Sequence, residues 1–119
     1  MLYRVLGRTG LKVSELGVGC ASFGMSDYID RWDASAGEAQ TTITSLVHRA
    51  VDMGYNFFDV APGYGQGRSE EMLGIALRGV RERVYVASKI GLDATDASYN
   101  RVAWSPESIR QSVESSLAA

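Results

Sequence analysis

Three short apolar runs, each followed by a loop and a helical pattern, constrain the fold of this chain more than any other feature. The runs are LGVGC at 16–20, YNFFDV at 55–60 and RVYVASKI at 83–90. The last run is apolar on both alternating faces, as expected for a parallel strand that is covered on both sides. The alternation of strands and helices therefore predicts an α/β fold with a parallel sheet.

The helices are predicted from apolar periodicity and from residues that favour helix ends. A first helix is expected over 38–54 and is ended by Gly54. Ser69 is expected to cap a second helix with two glutamates in its first turn, and Ser105 a third helix with proline in first position. The predicted apolar faces comprise Ile43, Leu46, Val47, Ala50 and Val51 in the first helix, Met72, Leu73, Ala76, Leu77 and Val80 in the second, and Ile109, Val113 and Leu117 in the third.

Residues 1–16 are predicted to form an antiparallel hairpin, because extended runs flank the turn GRTG. Residues 17–119 would then hold three strand–helix units of one domain, in which 21–37 has no clear period and is predicted to be a long loop. A complete (β/α)8 barrel has about 250 residues. The 119 residues therefore predict either a small open α/β domain or the front part of a larger barrel that is not closed.

Charge and composition argue against several classes of partner. The net charge is −2 and the basic residues are scattered, so neither a nucleic acid nor an anionic membrane is an expected partner. No apolar run approaches the length of a membrane span, and no spacing of metal ligands is present. The single cysteine, Cys20, cannot form an internal disulfide. These features predict a soluble, cytoplasmic protein, and they leave its oligomeric state open.

Polar residues follow the second and third predicted strands at the edge where sites form in α/β proteins. Asp59 ends the second strand, Tyr64 lies in the loop after it, and Lys89 ends the third strand. Lys89 is one of only two lysines, and a partly buried ammonium group requires a carboxylate such as that of Asp59. An adjacent ammonium lowers the pKa of a phenol, which would suit Tyr64 to general acid–base catalysis. The alternatives are a structural ion pair and a tyrosine that merely packs in a turn.

Aromatic residues in the loops are candidates for a substrate pocket, because small-molecule sites combine aromatic walls with a few polar groups. These residues are Tyr28, Trp32, Tyr99 and Trp104. The alternative is that they only anchor long loops.

Three further features are weaker. GVGCAS at 17–22 begins like a dinucleotide-binding fingerprint, but Ser22 replaces the third glycine and no helix is predicted to open there. His48 lies off the apolar stripe of the first helix and is predicted to be a surface residue. Cys20 is expected to be a small buried hydrophobe rather than a nucleophile.

The combination of motifs resembles the aldo-keto reductase family over nearly the whole chain. RVLGRTGLKVSELGVGCASFG is similar to the opening hairpin and first strand of that family. GYNFFDVAPGYGQGRSEEMLGIAL is similar to its second strand, catalytic loop and second helix. VYVASKIG and SPESIRQSVESSL are similar to its third strand and the helix that follows.

The resemblance implies a (β/α)8 barrel that reduces the carbonyl group of a small aldehyde or ketone with NADPH or NADH. It implies that Tyr64 is the proton donor, that Lys89 lowers the pKa of the tyrosine and that Asp59 holds Lys89. Gly19 and Cys20, with Asp59, match the family's strand-end contacts to the nicotinamide, although the family often has Thr where Cys20 stands.

The resemblance also indicates what this sequence does not contain. The family's catalytic histidine ends the fourth strand, and most cofactor contacts come from the second half of the barrel. We therefore expect the 119-residue piece to be a fragment that is marginally folded and nearly inactive alone. A second interpretation is a cofactor-binding partner subunit without catalysis, a role that some relatives in the family have.

Overall fold

The computed structural model describes residues 1–28, 31–90 and 105–119, which form two small sheets and a layer of helices. The first sheet is an antiparallel pair of β1 (Tyr3–Val5) and β2 (Lys12–Ser14). The second is a parallel sheet in the order β3–β4–β5. Its strands are β3 (Val18–Gly19), β4 (Phe57–Asp59) and β5 (Tyr85–Ala87).

Four helices lie within the described part of the chain. They are α1 (Ala21–Gly24), α2 (Ala39–Asp52), α3 (Arg68–Ala76) and α4 (Pro106–Ala118), with a 3-10 turn at Arg81–Arg83. The order of α2 and α3 between consecutive parallel strands confirms the α/β pattern predicted from the sequence. The short α1 differs from prediction, since a four-residue helix does open after GVGC.

The hairpin packs at the amino-terminal end of the parallel strands. Asn56, which directly precedes β4, accepts a hydrogen bond from the Ser14 N–H at 2.6 Å and donates from Nδ2 to the Lys12 carbonyl at 2.9 Å. The Tyr3 hydroxyl donates to the Gly54 carbonyl at 2.9 Å. The hairpin therefore lies opposite the carboxyl ends of β4 and β5.

The core lies between the parallel sheet and helices α2 and α3. Phe58, in the central strand, has none of its surface exposed, and Leu73 of α3 is 2% exposed. The buried face of α2 consists of residues four positions apart, which is one stripe of a helix. These residues are Ala39, Ile43, Val47 and Val51. Gly54 has a φ of +93° just after the helix, as the predicted helix stop requires.

Three predicted apolar positions are exposed in the structure. Leu46 was assigned to the buried face of α2 but is 47% exposed, because the stripe runs along 39, 43, 47 and 51 instead. Val113 and Leu117 of α4 are 43% and 80% exposed, so the described residues do not cover that face.

Strand β5 is less buried than its sequence predicts. It forms one edge of the three-stranded sheet, and Tyr85 is 36% exposed while Val86 and Ala87 are half-buried. An edge strand has a partner on one side only, so part of its surface remains open.

Candidate functional site

Asp59 is placed by backbone pairing on both sides of the central strand. It pairs with Gly19 of β3 and with Ala87 of β5, and its carbonyl accepts a hydrogen bond from the Cys20 N–H at 2.8 Å. Because β4 is hydrogen-bonded along both edges, its last residue is fixed. The carboxylate leaves the sheet at the carboxyl end, where its side chain is 47% exposed.

Lys89 lies two residues beyond β5 and reaches back over the end of β4. Its Nζ lies 2.8 Å from Asp59 Oδ1 and donates to the Val60 carbonyl at 3.0 Å. Partial burial by itself lowers the pKa of the ammonium, but the hydrogen bond to Asp59 and the interaction with Tyr64 outweigh this effect. The pKa of Lys89 therefore lies above its ordinary value of 10.5.

Tyr64 lies in the turn that joins β4 to α3, and Lys89 Nζ is 5.0 Å from the centroid of its ring. This distance is within the range of a cation–π contact. The Tyr64 N–H donates to the Ala61 carbonyl at 3.0 Å, and its own carbonyl accepts from the Ser69 N–H at 3.2 Å. The structure thus brings together Asp59, Tyr64 and Lys89, which we call the strand-end triad.

Two glycines allow the turn after Tyr64 to pack against α1. Gly65 has a φ of +61°, and a Cβ added there would lie 2.1 Å from the Gly24 carbonyl oxygen. A Cβ at Gly24 would lie 2.5 Å from the backbone nitrogen of Ser69. Any side chain at either position would force the two segments apart, so the position of Tyr64 depends on this close approach.

The start of α3 differs from the prediction. Gly67, with a φ of +88°, is the N-cap residue, and Ser69 lies inside the first turn. The Ser69 hydroxyl is fully buried, accepts from the Gly24 N–H at 2.8 Å and donates to the Ala21 carbonyl at 3.2 Å. It bonds another segment instead of capping its own helix. Glu70 and Glu71 do lie in the first turn, as predicted.

Gly19 and Cys20 differ in accessibility at the end of β3. Gly19 is exposed, and a Cβ built there meets nothing within 4 Å, which leaves open space beside Asp59. Cys20 has no exposed surface, so a ligand could touch it only after a local rearrangement. Burial raises the pKa of its thiol to about 12; the charge of Asp59 acts in the same direction and that of Lys89 opposes it. The thiol is therefore a buried, protonated group.

The predicted aromatic pocket is only partly within the described residues. Tyr28 is 57% exposed, whereas Trp32 is half-buried and packs against the core. The Asp27 N–H donates to the Trp32 carbonyl at 2.8 Å, which closes this loop. Tyr99 and Trp104 lie outside the described residues. A substrate pocket lined by these side chains stays a prediction.

His48 is not the surface residue that was predicted. It is half-buried where α2 packs against α3, and its Nε2 lies 3.0 Å from the Ala76 carbonyl oxygen. The reason is that this flank of α2 faces the neighbouring helix and not solvent. Among residues 1–28, 31–90 and 105–119, no group of three or more His, Cys, Asp or Glu side chains is placed to hold a metal ion. No helix in the same ranges is long and apolar enough to cross a membrane.

Comparison with known proteins finds dehydrogenases and aldo-keto reductases among the relatives of this chain. A curated relative, pyridoxal 4-dehydrogenase from Microbacterium luteolum, is 42% identical over 89 residues, which are 74% of this chain and 23% of that protein. A putative aldo-keto reductase from Pseudomonas aeruginosa is 40% identical with a TM-score of 0.80, over 98% of this chain and 41% of that structure. The glycerol dehydrogenase from Gluconobacter oxydans is 30% identical with a TM-score of 0.73, over 98% of this chain and 34% of that structure.

This chain therefore spans about a quarter to two fifths of the length of these proteins. The sequence profile of the aldo/keto reductase family matches residues 15–119, which include every member of the strand-end triad. The chain belongs to the aldo/keto reductase family of oxidoreductases.

Proposed function

We propose that this chain supplies the proton-transfer group of an enzyme that reduces aldehydes or ketones to alcohols with NADPH or NADH. The observation that carries the proposal is the contact of Lys89 with both Asp59 and Tyr64 at the ends of two neighbouring strands. Family membership supports the reaction class. The same group would also serve the reverse reaction, alcohol oxidation, which the name of the glycerol dehydrogenase from Gluconobacter oxydans describes.

In the proposed mechanism, Tyr64 donates its phenolic proton to the carbonyl oxygen of the substrate. The ammonium of Lys89, 5.0 Å from the ring, stabilises the negative charge that remains on the phenolate. Asp59 and the Val60 carbonyl hold that ammonium in place. The exposed sides of Asp59 and Lys89 leave room for a substrate above the triad.

We propose that a nicotinamide ring would lie at the ends of β3 and β4. Open space above Gly19 would let a flat ring approach the backbone beside Asp59, which a side chain at position 19 would prevent. When bound, a reduced nicotinamide supplies the hydride for the carbonyl carbon. Gly19 and Asp59 would line its site here, and Cys20 would support it from beneath the surface.

We further propose that the two open sheets belong to the first part of a (β/α)8 barrel. The likeness to aldo-keto reductase structures over 98% of this chain supports this assignment. The exposed edge of β5 and the uncovered face of α4 are where further strand–helix units would pack.

The proposal is tested by grafting residues 15–119 into the glycerol dehydrogenase from Gluconobacter oxydans in place of its matching segment. The chimera should oxidise glycerol, and Tyr64→Phe should reduce kcat by about 100-fold or more because the proton donor is lost. Tyr55→Phe, the matched control at the amino-terminal end of β4, should leave kcat nearly unchanged. An active Tyr64→Phe chimera would contradict the proposal. A chimera that binds cofactor without turnover would favour the partner-subunit interpretation.

A further inference from the structure

Glu70 is a buried carboxylate that the strand-end triad does not include. It is 8% exposed, and with Ser14 and Ser69 it makes up the buried polar residues of the described chain. Burying a carboxylate is costly unless hydrogen bonds and favourable charges offset the loss of water. The first turn of α3 supplies a favourable dipole, and the Ser88 hydroxyl donates to Glu70 Oε1 at 2.6 Å.

Ser88 stands at the point where the chain leaves the sheet. Its predecessor Ala87 is the last paired residue of β5, held opposite Asp59 and bonded through its carbonyl to the Val60 N–H at 2.9 Å. Lys89 follows at once and has left the strand pairing. The bond from Ser88 to Glu70 therefore fixes the segment that carries the ammonium at its first unpaired residue.

The start of the helix that carries Glu70 is fixed by contacts of the neighbouring residue, Ser69. The neighbouring Ser69 has none of its surface exposed, and it bonds Gly24, Ala21 and Tyr64 through its hydroxyl and its N–H. The helix end that carries Glu70 is thus joined to the segment after β3 and to the turn that holds the tyrosine. The carboxylate of Glu70 extends this set of contacts to the end of β5.

We propose that Glu70 is a positioning residue that acts through Ser88 to hold Lys89 against Asp59 and Tyr64. This proposal rests on the function proposed above, and it names Glu70 as the residue that supports Lys89. The placement of Lys89 can be measured in the absence of cofactor and substrate.

The test measures acylation of lysine side chains in the 119-residue chain by a limiting amine-selective ester, across a pH series, with peptide mapping. Lys12 and Lys89 are the only lysines, so Lys12, on the hairpin, is the internal reference. Ser88→Val removes the hydroxyl group. Ser88→Thr gives a side chain of the same shape that retains the hydroxyl group, and it is therefore the matched control. Because Ser88 is exposed, both variants are compatible with the fold. Glu71→Gln, on the exposed side of the same turn, is the control for Glu70→Leu.

We expect Ser88→Val and Glu70→Leu each to raise the labelling of Lys89 relative to Lys12 by about threefold, because an ammonium that is held less firmly beside Asp59 loses its proton more readily. Ser88→Thr and Glu71→Gln should leave the ratio unchanged, and Ser88→Val should add nothing in a Glu70→Leu background. Two results would overturn the proposal. One is equal labelling of Lys89 in Ser88→Val and Ser88→Thr. The other is an effect of Ser88→Val that is as large in the Glu70→Leu background as in the wild-type background. Since labelling needs no turnover, an inactive chimera in the graft experiment would leave this result standing.

Discussion

Lys89 Nζ lies 2.8 Å from Asp59 Oδ1, although 30 positions separate the two residues in the chain. Both side chains are more than two fifths exposed. An ion pair this exposed contributes only about 0–1 kcal/mol to stability. The pair therefore contributes little to holding the fold together, and its proposed role is to place the ammonium beside Tyr64.

The pairing predicts that Asp59→Asn lowers the pKa of Lys89. In the folded chain this pKa lies above 10.5, so the pair stabilises the fold fully below that pH and the contribution is lost as the pH rises through the raised pKa. The pH dependence of Lys89 acylation, with Lys12 as reference, measures the change. Asp52→Asn, at an exposed acid 3.7 Å from Arg83, is the matched control and should leave Lys89 unaffected. A Lys89 titration that is identical in wild type and Asp59→Asn would show that the carboxylate does not hold the ammonium.

The buried thiol of Cys20 predicts a loss of stability in alkaline solution. Its pKa is about 12 in the folded chain and 9.0 ordinarily. The unfolded chain therefore ionises first, and stability falls as the pH rises above 9. A rise to about pH 10 should cost on the order of 1 kcal/mol from this group. Urea unfolding at about pH 9 and at about pH 10 should show a smaller loss of unfolding free energy in Cys20→Ala than in wild type. The same loss in both proteins would contradict the burial of the thiol.

Two adjacent residues of α2 should respond differently to truncation. Val47 has no exposed surface, whereas Leu46 is 47% exposed. Val47→Ala should cost about 2 kcal/mol, because it removes buried methyl groups and leaves a cavity. Leu46→Ala should cost less than about 1 kcal/mol despite removing more carbon atoms. Urea unfolding of the two variants measures the difference, and a larger loss in Leu46→Ala would show that the face of α2 has been misassigned.

The placement of the triad follows from the sequence because it depends on local rules. Apolar runs locate β4 and β5, and parallel strands bring their carboxyl ends to one edge, so Asp59 and Lys89 were expected at the same edge of the sheet. Gly54 and the Ser105–Pro106 pair mark helix ends by their own conformational preferences. The Ser105 cap is present, with its hydroxyl accepting from the Ser108 N–H at 3.1 Å.

The supporting contacts do not follow from the sequence because they depend on which segments meet in space. Ser69 has the pattern of a helix cap, and only the close approach of Gly24 and Gly65 shows that its hydroxyl is bonded elsewhere. Glu70 has the pattern of a residue chosen for the helix dipole, and its bond to Ser88 depends on the packing of α3 against the sheet edge. Two features of the sequence indicate such support. One is a serine directly before the lysine at a strand end, and the other is an acid directly after a buried serine.

The most direct test of the account is whether Tyr64 and Lys89 act as one proton-transfer unit. In the chimera with the Gluconobacter oxydans enzyme, kcat is measured for Tyr64→Phe, for Lys89→Met and for the double variant. Residues that act as a unit lose activity together, so the double variant should be no slower than the slower single variant. Independent losses that multiply in the double variant, or a single variant with the activity of the unaltered chimera, would contradict the account.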